Sequence, residues 1–147
     1  MSKFTEFTLP RTGQSSLAFT GELIAEAKSP AYRRHQNNPS SRAHWFEASV
    51  YRTKSGKFVL SVAYRWAGNL SREENMDFAW AFTDTQAVYD KMSIFEAADC
   101  VRGYPVGDYW ENKQQSLLES IQEDFDTLSE LITTKVEQVT QKPERVE

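Results

Sequence analysis

The chain has 147 residues, 39% of them apolar and 26% charged, with one cysteine and a formal net charge of −4. That length fits a single domain over 1–147 able to bury about 68–70% of its unfolded surface. No apolar run approaches the ~20 residues that span a bilayer, so no membrane association is expected. One cysteine cannot form an internal disulfide, which excludes the secreted disulfide scaffolds and leads to the expectation of a cytoplasmic protein. The opening residues Met1–Glu6 carry charge and no apolar stretch, unlike a secretory signal. Residues 1–75 are net basic and residues 105–147 net acidic, so the chain is a dipole along its own sequence.

Pro10, Gly13 and Ser15-Ser16 punctuate residues 1–16, which predicts a partly ordered segment with at most a short strand around 4–9. A firmer strand is predicted at 17–27, where Leu17, Phe19, Leu23, Ala25 and Ala27 recur at spacing two. Gly21 interrupts that apolar side and marks a bulge or a close approach of another element. Residues 28–44 are rich in Pro, Asn and Ser and read as a long loop.

The clearest local feature is a hairpin, with alternating runs at 43–53 and 57–66 joined by Lys54-Ser55-Gly56. A three-residue loop pairs Thr53 with Lys57. It places Phe46, Ala48 and Val50 on one face with Phe58, Leu60, Val62 and Tyr64, and Trp45 opposite Arg65 on the other. A further strand carries Met76, Phe78, Trp80 and Phe82 on one side and Asp77, Ala79 and Ala81 on the other, small enough to admit another backbone. Thr83-Asp84-Thr85 can cap a short helix to about Met92, and Ser93 with Glu96 has the spacing to cap a second, to about Val101.

The last predicted element is an amphipathic helix over 108–139, opened by Asp108 and Glu111 and followed by a frayed tail at 140–147. The fold class is therefore α+β: a twisted antiparallel sheet of four to five strands within 17–104, then short helices and the long C-terminal helix. Some thirty helical residues make a rod of about 45 Å, against a body about 33 Å across. Apolar residues near its end are expected to overhang and need a cover, which points to a second copy of the chain or another protein as partner. The anchors would be Phe125, Leu128, Ile132, Val136 and Val139.

Chemistry is harder to place. His35, His44 and Cys100 have no metal-ligand spacing, so no metal or other cofactor is expected. No phosphate-binding glycine loop and no nucleophile elbow occur, and the abundant carboxylates of the last helix read as a solvated face. The expected function is thus a non-catalytic interaction or assembly module acting through the C-terminal helix. The alternative is nucleic-acid binding through a basic and aromatic surface made of Tyr32, Arg33, Arg34, Arg42, Trp45, Tyr51 and Arg65, in which cations track phosphates and rings stack on bases. A pI of 5.3 weighs against that alternative.

Overall fold

A computed structural model describes residues 4–29, 32–33, 43–67, 76–100 and 111–141, with side chains at 4–29, 45–65, 76–97, 100 and 119–141. Strands β1 (Thr5–Arg11), β2 (Gln14–Lys28), β3 (Tyr32–Arg33), β4 (Ala43–Thr53), β5 (Phe58–Ala67) and β6 (Met76–Phe82) come first. They are followed by helix α1 (Thr85–Ile94), a 3-10 turn at Ala97–Cys100 and helix α2 (Glu111–Thr140). All strand pairs are antiparallel, in the order β1-β2-β4-β5-β6, with the two-residue β3 also paired to β4. The α+β class follows.

The central hairpin forms in the predicted register. Gly56 takes φ +88°, a conformation that costs a residue without Cβ little, and its N–H donates to the Thr53 carbonyl at 2.9 Å. Thr53 N–H then donates to Lys57 O at 2.7 Å, and Phe46, Ala48 and Val50 stand opposite Tyr64, Val62 and Leu60. Strand β6 adds Met76, Phe78, Trp80 and Phe82 to this same face. Ala79 is buried with Val59 and Ala63 on the inner face, and the sheet curls until β1 meets β6. Thr12 N–H donates to Asp77 O and Asp77 N–H to Thr12 Oγ1, both at 2.8 Å, which ties the two ends together.

Three local expectations are corrected. Residues 5–28 form a full hairpin, closed by Thr12-Gly13 with Arg11 opposite Gln14 and Gly13 at φ +79°. Pro10, which has no N–H to give, sits at the irregularity between Leu9 and Arg11. In β2 the apolar series does not stay on one side, because the register shifts between Leu23 and Ala25. Leu23 pairs with Tyr51 on the inner face, whereas Ala25 pairs with Val50 on the outer one. Gly21 marks the close approach instead: a Cβ there would lie 2.6 Å from the Arg52 carbonyl oxygen. Finally, Asp84 caps α1 by accepting from Ala87 N–H at 2.8 Å, but Ser93 caps nothing. Its hydroxyl donates back to Asp90 O at 2.8 Å inside α1, and one 3-10 turn follows in place of a second α-helix.

Helix α2 lies on the outer face of the sheet. Ile121, Phe125, Leu128, Ile132 and Val136 form one stripe, each 2% exposed or less. The Phe125 ring stands 5.3 Å from Phe46 and 4.8 Å from Phe95, and α1 contributes Val88 and Met92 to the same core. Gln122 fastens the helix to the preceding segment, accepting from Ala97 N–H at 3.0 Å. This overturns the expected overhang: Phe125, Leu128, Ile132 and Val136 are covered by the chain's own sheet and cannot serve as free anchors. Rod length alone does not say which stretch of a helix the sheet covers, and here the covered stripe runs from Ile121 to Val136. The helix also runs unbroken through Thr133-Thr134. Most of the expected loop at 28–44, the capping residue Asp108 and the tail from 142 lie outside the described residues.

Candidate functional site

On the inner face the hairpin brings part of the predicted basic and aromatic set together. Trp45 faces Arg65 across β4 and β5, and Trp45 Nε1 donates to Glu47 Oε2 at 3.0 Å. Arg65 is held by two carboxylates, Asp77 at 3.0 Å and Glu47 at 3.8 Å, with Lys28 a further 3.9 Å contact of Glu47. Its remaining nitrogen Nη1 is buried without a hydrogen-bond partner. Tyr51 belongs to a separate group: its ring packs 4.7 Å from Phe7 and 5.2 Å from Phe19. Burial is the main cause that raises the Tyr51 pKa, with Glu26 adding repulsion and a Ser49 hydrogen bond opposing both. Six residues along an extended strand separate Trp45 from Tyr51 by about 20 Å, too far for one base or ring to bridge. Of the other predicted contacts, Tyr32 and Arg33 are fixed only as backbone in β3, and Arg34 and Arg42 lie outside the described residues.

The second surface follows from how β2 is paired. Among the described residues, strand β1 accompanies it as far as Gly21, which stands opposite Thr5. From residue 22 to 28, β2 has β4 on one side and, among the described residues, no strand on the other. Ser29 N–H donates to Phe46 O at 2.8 Å, so Ser29 and Phe46 form a hydrogen-bonded pair. Antiparallel ladders alternate, which makes Ala27–Ala48 and Ala25–Val50 the next bonded pairs and turns the N–H and C=O of Glu26 and Lys28 toward the open edge.

One contact on that edge confirms the alternation. Lys135 Nζ reaches from α2 and donates to the Glu26 carbonyl at 2.7 Å. Leu131, Lys135 and Val139 are spaced four apart, so they form one row along the helix flank, of which Lys135 and Val139 stand beside the edge. Leu131 is 45%, Val139 39% and Leu23 43% exposed. A shallow groove of about 350 Å³ runs between strand and helix, lined by Leu23, Ile24, Glu26, Lys135, Gln138 and Val139 among others.

Val139 alone among the predicted anchors is open to solvent. Sequence reasoning missed Leu23, Glu26 and Lys135 as surface-forming residues. The available signal was Lys135 interrupting the apolar series with Leu131 widening it, a flank distinct from the core stripe.

Nothing else among the described residues forms a reactive constellation. No group of three or more His, Cys, Asp and Glu side chains is placed to hold a metal there, and no described helix is long and apolar enough to cross a membrane. Cys100 packs half-buried against the core. Comparison with protein families, curated proteins and solved structures finds no match to this chain.

Proposed function

We propose that the chain is a non-catalytic protein-interaction module, and that its docking surface is the open edge of β2 with the adjoining flank of α2. The observation that carries this reading is the distribution of exposed large apolar side chains. Of four among the described residues, Leu23 and Val139 line the groove at this edge, Leu131 lies one helical turn before Lys135, and Ile94 lies elsewhere. Unpaired backbone groups beside apolar side chains are the means by which sheet edges receive another chain, the backbone giving affinity and the side chains selectivity. The helix of the original expectation is kept, but by its flank and not by its buried stripe. The nucleic-acid alternative has less support, because Glu47 and Asp77 neutralise Arg65 where a phosphate would have to bind.

The test is a photo-crosslinking amino acid placed at position 131 and, as a control, at the exposed position 86, in cells producing the full chain. Adducts at 131 and none at 86 are expected, with mass spectrometry identifying what was captured. No adduct at 131 removes this reading.

A further inference from the structure

We infer that the occupant of this edge is a second copy of the chain, paired β2 to β2 in antiparallel fashion about a two-fold axis centred on Ala27. This rests on the edge being the docking surface and adds who docks there. The argument is the charge pattern of the outward-facing positions. Only residues whose N–H and C=O point outward can form hydrogen-bonded pairs across the new seam, and the described ones beyond the bulge are Glu26 and Lys28.

An axis at Ala27 sets Glu26 of each copy opposite Lys28 of the other, so both pairs are of opposite charge and both exchange backbone hydrogen bonds. Shifting the axis by one residue either way sets Glu26 against Glu26 or Lys28 against Lys28, and directly opposed like charges are unfavourable. The strand is thus complementary to itself in one register, as an interface between identical copies must be. The same axis, perpendicular to the sheet, puts both α2 helices on one side. The rows holding Leu131 and Val139 then face each other over the seam, which covers these two side chains in both copies.

Lys135 gives this interface a built-in competitor. In the single chain its ammonium occupies the Glu26 carbonyl at 2.7 Å. In the pair, that carbonyl accepts from the partner strand, so Lys135 must let go. A lysine over an exposed edge is a known way of discouraging unwanted strand addition.

Sedimentation of the full chain over a concentration series decides the matter. The mass is expected to rise from one chain to two. Glu26→Lys alone and Lys28→Glu alone should each stay at one chain mass, while an equimolar mixture of the two should recover the two-chain mass. The mixture also guards against misfolding, since a damaged variant would not regain assembly on meeting its complement. Lys135→Met should move the transition to several-fold lower concentration.

A mass of one chain at every concentration overturns the inference, as does a mixture that fails to associate or single variants that pair as the natural chain does. If position 131 meanwhile crosslinks to a different protein, the docking surface stands and only its self-pairing falls.

Discussion

Lys135 and Glu26, 109 residues apart, are joined by a 2.7 Å hydrogen bond from the Nζ of one to the backbone carbonyl of the other. The bond is exposed, and a hydrogen bond to a charged donor in water adds little net stability. Lys135→Met is therefore expected to change unfolding free energy by no more than about 1 kcal/mol, measured by urea denaturation. A loss several times larger would mean that Lys135 holds the fold together, not that it guards an edge.

The two sides of α2 should respond very differently to truncation. Ile132 is fully buried, so Ile132→Ala is expected to cost about 2–5 kcal/mol through lost transfer energy and the cavity left behind. Leu131, one residue earlier and 45% exposed, should lose no more than about 0.5 kcal/mol in a non-associated chain. Chemical denaturation of both variants at high dilution checks the pair. Equal losses would contradict the placement of the helix.

Much of this arrangement is legible from residues alone where the signal is local. The Lys54-Ser55-Gly56 loop fixes its own register, and that register fixes ten cross-strand pairs from Ala43 opposite Ala67 to Arg52 opposite Phe58. Asp84 is readable as a cap because the hydroxyl and carboxylate chemistry lies next to the helix it serves. What escapes is what depends on elements meeting in space. The alternation of Leu17 to Ala27 carries no trace of the bulge that splits it, since a bulge is imposed by the partner strand. Likewise, Ile132, Val136 and Val139 look alike on a helical wheel. The sheet buries the first two and leaves the third at its rim. The proposed docking edge was illegible for the same reason: whether β2 has a neighbour among the described residues depends on where β1 pairs with it.

Gly21 supplies a test of the curled sheet. A methyl group there would lie 2.6 Å from the Arg52 carbonyl oxygen and 3.1 Å from the Thr53 Cα, both backbone atoms that cannot swing away. Gly21→Ala is expected to cost about 1–3 kcal/mol by forcing β2 and β4 apart. Gly13 has open space around it and only its φ of +79° to defend, so Gly13→Ala should cost about 1–2 kcal/mol with no change in the β2–β4 amides. Amide exchange of both variants separates the two mechanisms.

Asp124 gives the account a pH dependence. Burial, with Glu123 adding repulsion, raises its pKa above the usual carboxylate value. The folded chain therefore holds that proton more tightly than the unfolded chain does. This contribution to stability is fully present below the unfolded pKa and is lost as pH rises through the folded one. Asp124→Asn should consequently be more stable than the natural chain at neutral pH, with the advantage vanishing in acid. Thermal melts across that range give the answer, and an advantage that grows on acidification would reverse the sign and refute the assignment.

The most direct measurement of the proposed docking edge is amide hydrogen exchange at Glu26 and Lys28, followed as protein concentration is raised. Their N–H groups face outward in the single chain, so exchange should be fast in dilute solution and slow markedly at high concentration, while Ala25 and Ala27 stay protected throughout. Exchange at Glu26 and Lys28 that is equally slow at every dilution, or equally fast at every concentration, would contradict an edge open in one copy and closed by two.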